Sequence, residues 1–316
     1  MPEQKSAYIY AIIAVFLWGT VATAMKISLG YFDFLQLLFL SVFVSLLTLF
    51  CVLVYQKKLK NIFKWPAKAY LKSAIFGLVN PFIYYIILFR AYELLPAQEA
   101  QPLNYTWPIM ITLLSIPILK QKISFKNFIA ILISFFGVLV ISTRGQLADF
   151  SFSNPVGAAY GIASAVVWAL FWVYNIKDER DEISKLFLNF LFGMVYISIA
   201  LFIFSDVPKF SSKHYLSAAY VGLFEMGVTF IIWSLALKKS KKTAGVSKLI
   251  YLVPFISLVV IYFVLGEDIQ QSTLIGLVFI ISGLIFDNIN FSKLMDRIKA
   301  RRLKRKTAVH SKEEKS

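Results

Sequence analysis

The stretches GLVNPFIYYIILFRA (residues 77–91) and GLFEMGVTFIIWSLA (residues 222–236) lie 145 positions apart in the chain, and each begins with glycine and ends with alanine. Further pairs recur at nearly the same offset: Tyr105 with Tyr251, Pro108 with Pro254, and Gly137 with Gly283. Two apolar segments match at some positions by chance, but a nearly constant offset over separate elements is harder to obtain that way. We therefore expect two related halves.

The composition indicates a membrane protein. Of the 316 residues 59% are apolar, and 30 are Phe, whereas soluble domains are about 45–50% apolar. Apolar stretches of about twenty residues, each long enough to cross a hydrocarbon core of about 30 Å as a helix, occupy residues 7–28, 34–55, 70–91, 97–119, 125–143, 155–176, 185–205, 215–237, 244–265 and 273–291. The sequence predicts an all-α integral membrane protein with ten transmembrane helices.

Each half contains five predicted spans, and five is an odd number. The second half therefore enters the membrane from the opposite side, which gives two inverted five-helix repeats. The predicted organisation is a short N-terminus (1–6), a first repeat (7–145), an outer loop (146–154), a second repeat (155–291) and a basic tail (292–316). Inverted repeats of this kind are common in secondary transporters, with the substrate near the bilayer midplane.

The net charge of +16 reflects topology and not nucleic-acid binding. Lys and Arg concentrate in the segments 57–72, 120–126, 177–185, 238–242 and the tail, which all fall on one side of the predicted membrane. This bias places both termini in the cytoplasm. The tail is expected to hold the last helix in place, with binding of anionic lipid headgroups as the alternative. The N-terminus lacks a small-residue cleavage site, so its apolar run is expected to be the first span.

Several motifs resemble the EamA-type transporters of the drug/metabolite transporter superfamily. They are FLWGT (residues 16–20) followed by Lys26, the run IIWSLALKKSKKTAGVSKLIYLVP (residues 231–254), and LGEDI (residues 265–269) followed by Gly276. NYTWP (residues 104–108) is similar to the aromatic amino-acid exporter branch. The resemblance implies the ten-helix fold and export of a small metabolite. One departure is Gln121, which occupies the position of Glu267 in the first half and is expected to affect loop structure.

Two polar residues occupy equivalent positions near the middle of the third and eighth spans. Asn80 aligns with Glu225 at the offset of 145. Since polar groups at membrane depth usually face a cavity or the bundle interior, we expect both in a central substrate site. Steps of four residues along the same helical faces add Tyr84 in the first half, and Thr229 and Trp233 in the second.

Glu225 is also our candidate for proton coupling, because a low dielectric favours the neutral form of an isolated carboxyl group. The alternative is that Glu225 only forms a hydrogen bond to a neighbouring helix. Trp18 and Trp168 lie at equivalent mid-span depths, away from the interfacial belts where Trp collects. Their placement favours a position at the same cavity, although each alone is more often a packing residue.

The fourth span opens with AQEAQPLNYTWP (residues 97–108), which is unusually polar. At about 100° per residue, one side of this helix carries Gln98, Gln101, Asn104, Tyr105 and Pro108. Glu99 falls on the opposite side in the first turn, where the helix dipole favours a carboxylate, so we predict a structural role for it. Prolines that break the third, fourth and ninth spans suit either a gate or a static kink: Pro81, Pro102, Pro108 and Pro254.

The predicted substrate pocket comprises Trp18, Asn80, Tyr84, Gln98, Gln101, Asn104, Tyr105, Trp168, Glu225, Thr229, Trp233 and Tyr251, the last being the equivalent of Tyr105. Four further residues have simpler expectations. Lys26 and Lys248 are expected to extend to the membrane interfaces, with attraction of anions at a cavity mouth as the alternative. Arg90 is expected to pair with Glu93.

The sequence contains no metalloprotease, nucleophile-elbow or nucleotide-binding motif, and its only cysteine is Cys51. We therefore predict no catalytic residues, no metal site and no cofactor. The favoured function is a secondary transporter of the inner (plasma) membrane that moves a small metabolite by alternating access, with amino-acid export as the best substrate class. The alternative is a non-transporting membrane receptor or scaffold. A channel is disfavoured because the sequence has no repeated filter sequence or ring of like charges.

Overall fold

The computed structural model of the protein describes residues 2–120, 125–147, 154–175, 177–207, 214–240, 246 and 248–288. The described part is helical, without strands. The first half contains α1 (Pro2–Leu29), α2 (Phe34–Tyr55), the short α3 (Leu59–Ile62), α4 (Ala67–Gly77), α5 (Tyr84–Leu94), α6 (Ala97–Asn104), α7 (Trp107–Leu119) and α8 (Phe125–Ser142). The second half contains α9 (Pro155–Asn175), α10 (Glu182–Phe204), α11 (Tyr215–Val221), α12 (Val228–Lys239), a 3₁₀ turn (Lys248–Leu252), α13 (Val253–Leu265) and α14 (Gln271–Asn288).

Six helical segments are long and apolar enough to cross a membrane: Glu3–Leu29, Phe34–Tyr55, Ala67–Leu94, Pro155–Asn175, Glu182–Phe204 and Tyr215–Leu237. Shorter apolar helices follow at Phe128–Ser142, Leu249–Leu265 and Gln271–Phe286. Each of these segments overlaps a predicted span, so the all-helical membrane architecture agrees with the sequence. The number of ten crossings stays a prediction.

Residues 77–91 and residues 222–236 each contain a break in regular α-helix. A π-helical segment, Leu78–Ile83, joins α4 to α5, and another, Gly222–Gly227, joins α11 to α12. The backbone leaves the helical region at Asn80 (φ −144°, ψ 116°) and at Gly227 (φ −107°, ψ −97°). Pro81 removes a backbone donor in the first half, which accounts for part of that break. Each π segment adds one residue to the turn and so rotates the helical face that follows it.

The predicted fourth span is not one continuous helix. It divides into α6 and α7, which are separated by Tyr105 and Thr106. Pro108 is the second residue of α7, a position where its missing N–H leaves no hydrogen bond unmade. In the described part of the predicted ninth span, a 3₁₀ turn (Lys248–Leu252) precedes α13, which has Pro254 in its first turn. The polar stripe predicted for one straight helix is therefore divided between a short helix and a turn.

Equivalent glycines bring helices of the two halves into close contact. A Cβ atom at Gly77 would overlap the backbone oxygen of Asn189 in α10, and one at Gly222 would overlap the backbone oxygen of Ser41 in α2. Gly137 of α8 meets the backbone of Gly276 in α14 in the same way. Because only glycine allows such approaches between backbones, these contacts position the helices that surround the centre of the bundle.

The helix ends form two groups, one at each end of the bundle, which we call the basic end and the far end. The basic end carries the segments 56–66 and 177–181, and the far end carries the segments 30–33, 95–96, 143–147, 205–207 and 266–270. At the far end Arg90 pairs with Glu93 as predicted. Arg144 Nε donates to Oε1 of the buried Glu99 at 2.9 Å, in agreement with a structural role for this acid.

Lys26 has specific partners at the far end, and its extension to the membrane interface stays a prediction. Its ammonium donates to the backbone oxygens of Tyr92 and Leu95, both at 2.7 Å, where α5 ends. The last carbonyl groups of a helix lack partners within the helix, so the hydrogen bonds from Lys26 satisfy two carbonyl groups at the end of α5. The side chain of Lys248, Gln121 and the basic tail lie outside the described residues.

Candidate functional site

A central cavity of about 60 Å³ lies between the two halves of the protein. Its lining comes from α1, α5, α6, the Tyr105–Thr106 turn, α7, α9, the second π segment, α12 and the 3₁₀ turn: Trp18, Val21, Ala22, Met25, Tyr84, Leu88, Tyr92, Gln101, Asn104, Tyr105, Trp107, Trp168, Glu225, Phe230 and Ile250. This volume holds a few water molecules, and a cavity that binds benzene measures roughly 150 Å³. A larger solute therefore requires the cavity to widen.

Glu225 places a carboxylate in this cavity. Tyr85 Oη donates to Glu225 Oε1 at 3.3 Å, and Trp18 Nε1 donates to the backbone oxygen of Glu225 at 3.3 Å. The π segment leaves that backbone oxygen available to a side chain from another helix. Among the described residues, no Lys, Arg or His forms an ion pair with Glu225. The carboxylate thus has a neutral hydrogen-bond donor and free space beside it.

Amide and hydroxyl groups form another side of the central cavity. Asn104 Nδ2 donates to Ser164 Oγ at 2.9 Å and to Tyr84 Oη at 3.4 Å. Gln101 lies one turn earlier on α6 and also lines the cavity. These groups offer both donors and acceptors to a polar ligand. Gln101, Asn104 and Tyr105 of the predicted polar face therefore line the cavity, whereas Gln98 and Pro108 do not.

Aromatic rings form the side of the cavity toward the basic end. Phe230 lies edge-on to both predicted tryptophans, with ring centroids 5.8 Å from Trp18 and 5.8 Å from Trp168. The Trp168 ring also lies 4.6 Å from that of Tyr84. Edge-on and tilted pairs at these distances are attractive aromatic contacts. The equivalent tryptophans of the two halves are thus brought together around one phenylalanine.

Seven of the predicted pocket residues line the cavity: Trp18, Tyr84, Gln101, Asn104, Tyr105, Trp168 and Glu225. The other five lie elsewhere: Asn80, Gln98, Thr229, Trp233 and Tyr251. Asn80 is fully buried beside Pro81, with no hydrogen-bond partner for its amide. Thr229 donates to the backbone oxygen of Phe224 on its own helix.

Gln98 serves the far end of the bundle. Its amide donates to the backbone oxygen of Asp268 at 3.0 Å and accepts from the backbone N–H of Gln270 at 2.9 Å. Glu267 adds a carboxylate at the start of α6, where it accepts from the N–H groups of Ala97 (3.1 Å) and Gln98 (3.3 Å). Free N–H groups and the helix dipole both favour an anion there. Gln98 and Glu267 therefore position α6, which carries Gln101 and Asn104.

Trp233 and Tyr251 pack next to the cavity without lining it. The Trp233 ring lies 5.6 Å from that of Trp18, and Tyr251 joins the apolar cluster around Val15 and Val253. The π segment Gly222–Gly227 explains why Thr229 does not line the cavity. Because this segment adds a residue to the helical turn, the side chain that faces the cavity after Glu225 is Phe230, five residues later, and not Thr229, four residues later.

Sequence reasoning missed several cavity residues. Val21, Ala22 and Met25 follow Trp18 at steps of three, four and seven residues on α1, so a helical-face argument from Trp18 would have found them. Leu88 and Tyr92 follow Tyr84 in the same way. Phe230 and Ile250 carried no such signal, because Phe230 follows a π segment and Ile250 lies within a 3₁₀ turn.

An ionic cluster connects the two halves at the basic end. Arg180, in the loop between α9 and α10, bonds Asp178 (Nη2 to Oδ2, 2.7 Å) and reaches α4 through the backbone oxygen of Ala69 (2.7 Å) and Ser73 Oγ (2.8 Å). Lys72 Nζ adds a contact of 3.4 Å to Asp178. Burial raises the pKa of Asp178, but hydrogen bonds and the charge of Arg180, with that of Lys72, lower it by more, so the pKa lies below its ordinary value.

Comparison with known proteins identifies the fold and the family. The model of the EamA-like transporter family matches residues 5–143 and again residues 155–288, once in each half. The chain belongs to the EamA-like transporter family. This EamA-like chain aligns with a solved crystal structure at a TM-score of 0.66 and 19% sequence identity. The alignment covers 90% of this chain and 96% of the solved chain. At that identity the likeness shows that the two chains share a fold.

Relatives of this EamA-like protein are themselves described as transporters. The uncharacterized transporter YoaV of Bacillus subtilis (strain 168) is 26% identical over 289 residues, which cover 89% of this chain and 96% of the relative. An uncharacterized transporter of Clostridium kluyveri is 26% identical over 300 residues, covering 92% and 94%. The aromatic amino acid exporter YddG of Ancylobacter novellus is 21% identical over 178 residues, covering 55% and 59%. Family membership and the apolar helices together make the chain a multi-pass membrane protein.

Proposed function

We propose that this protein is a secondary transporter that carries a small metabolite through the central cavity by alternating access. The observation that supports this most strongly is a cavity between the two halves that combines a carboxylate at Glu225 with the amides of Gln101 and Asn104. Polar groups at this depth are costly unless they serve a solute or an ion. A purely structural scaffold would have no need of such a cavity.

The proposed substrate is an amino acid, with aromatic or apolar ones preferred. Its polar groups would bond the amides and the carboxylate, and its side chain would lie against Trp18, Trp168 and Phe230, which are close enough together to enclose an apolar group. The exporter among the relatives supports the same class. Because the cavity is smaller than an aromatic ring, binding requires the surrounding helices to separate, as transporters do in each cycle.

Glu225 is the proposed site of proton coupling. It has one neutral donor at its side chain and no basic partner among the described residues, so its protonation is open to change when water enters from either side. A proton bound on one side and released on the other would drive transport against a gradient. The proposed orientation, with both termini in the cytoplasm, places the basic end inside.

Transport of amino acids can be tested with the purified protein in liposomes. A growth-resistance screen of cells that overproduce the protein, against toxic amino-acid analogues, first selects the panel. Saturable uptake of at least one amino acid is expected. The variant Asn104→Ala should weaken uptake about three- to tenfold, the effect of losing one hydrogen bond. The exposed Asn61→Ala is the matched control and should change nothing. If no amino acid is taken up, the proposed substrate class is wrong.

A further inference from the structure

A second cavity, of about 20 Å³, lies beside the central cavity toward the basic end. Its lining comes from the end of α9, the start of α10 and α12, and it is partly polar: Asn175, Glu182, Lys185 and Asn189. The Lys185 ammonium donates to the backbone oxygen of Asp178 at 3.0 Å, so one lining residue contacts the loop with the ionic cluster. The second cavity is therefore situated between the central cavity and the ionic cluster at the basic end.

The polar lining includes an unsatisfied group. Asn189 is 1% exposed, and its Oδ1 has no hydrogen-bond partner. A buried acceptor without a partner costs free energy and calls for an explanation. Space for water or a polar solute at this position provides one, because either would donate to Asn189 whenever the loop opens.

Phe230 lines both cavities. On the central side its ring contacts Trp18 and Trp168 at 5.8 Å. On the other side it borders the space next to Trp172, one turn after Trp168 on α9. Side chains move between staggered χ1 positions, so a single rotation of this ring would join the two spaces.

We propose that Phe230 is a gate between the central cavity and the second cavity, and that the second cavity is the basic-end part of the substrate path. The inference rests on the proposed transport function and adds to it a route and a gating residue. Opening this route takes two events: the loop of residues 177–181 leaves α4, and the Phe230 ring leaves the space between the tryptophans. The gate thereby separates the bound solute from the basic end.

Thiol labelling tests the gate without any substrate. In a Cys51→Ser background, Val21→Cys reports on the central cavity, and Asn175→Cys reports on the second cavity. Val15→Cys lies on the same helix as Val21, is 3% exposed and lines neither cavity, so it serves as the matched control. A membrane-impermeant methanethiosulfonate is applied to the basic end in inside-out vesicles, and to the far end in right-side-out vesicles.

Phe230→Ala should raise the labelling rate of Val21→Cys from the basic end by about tenfold, as expected when a barrier of about 1.4 kcal/mol is removed. Labelling from the far end, and labelling of Asn175→Cys and Val15→Cys, should not change. Phe230→Leu, which keeps the site apolar, should give an intermediate rate if Phe230→Ala does not fold. An unchanged rate at Val21→Cys, or an equal rise at Val15→Cys, would overturn the gate. Uptake by the wild type tests the transport function separately.

Discussion

Tyr85 of the first half donates its hydroxyl to Oε1 of Glu225 of the second half, at 3.3 Å. Both residues belong to helices that contain a π segment, and Tyr85 follows Asn80, the equivalent of Glu225, by five residues. The bond therefore connects the two quoted stretches across the centre of the protein.

Replacing Tyr85 by Phe removes this bond and leaves the ring. The substrate concentration for half-maximal uptake should rise about three- to tenfold, the usual effect of one lost hydrogen bond. Uptake by the purified variant in liposomes gives the measurement. Tyr196→Phe is the matched control, because Tyr196 also donates one bond of 3.3 Å, to the backbone oxygen of Ala74, away from the cavity. Equal effects of the two variants would contradict a role for Tyr85 at the site.

The cluster around Asp178 should stabilise the basic end in a pH-dependent manner. Since the pKa of Asp178 in the folded protein is below its ordinary value of 3.8, its contribution to stability is present above that value. The contribution is lost as the pH falls through the folded pKa. Asp178→Asn should cost about 3 kcal/mol of stability at pH 7, as for a buried ion pair that loses one partner.

Thermal unfolding in detergent measures this effect. The difference between the wild type and Asp178→Asn should be large at pH 7 and should shrink below about pH 4. Glu93→Gln, in the more exposed pair with Arg90, should cost less than about 1 kcal/mol. A difference for Asp178→Asn that is the same at both pH values would show that its charge is not the stabilising feature.

The glycine contacts between the halves predict a steric effect. Gly77→Ala brings a Cβ atom into the backbone oxygen of Asn189, and overpacking of this kind costs about 1–3 kcal/mol. The unfolding temperature should fall accordingly. Gly266→Asn is the control: Gly266 has a left-handed backbone (φ 66°) with open space around it, and Asn tolerates that conformation. A stable Gly77→Ala would mean that α4 and α10 can separate without cost.

Much of the fold follows from the sequence, because it depends on local composition and on the repeat. Apolar length predicts the helices, and the offset of 145 predicts that residues 77–91 and 222–236 adopt similar structures. Pro81 predicts a break only in the first of these stretches, whereas the structure shows one in each. The sequence also predicts that Trp18 and Trp168 line the same cavity, since both occupy equivalent depths in α1 and α9.

The positions of other site residues depend on partners that are distant in the sequence. Gln98 bonds to residues 268–273, and Lys26 bonds to the end of α5; neither relation leaves a pattern within its own helix. Counting regular helical turns from Glu225 led to Thr229, whereas the π segment shifts the cavity position to Phe230. Regular helical periodicity does not predict which side chains face the cavity beyond a point where the helix changes its number of residues per turn.

Uptake driven by a pH gradient in liposomes tests the role of Glu225 most directly. The wild type and Glu225→Gln are compared, with and without an imposed gradient, and the more exposed Glu93→Gln serves as the control. Glutamine keeps the size and hydrogen bonding of the side chain but cannot exchange a proton. We predict that a pH gradient accelerates uptake by the wild type and by Glu93→Gln, and has no effect on Glu225→Gln. Normal uptake by Glu225→Gln that still responds to the gradient would contradict the account.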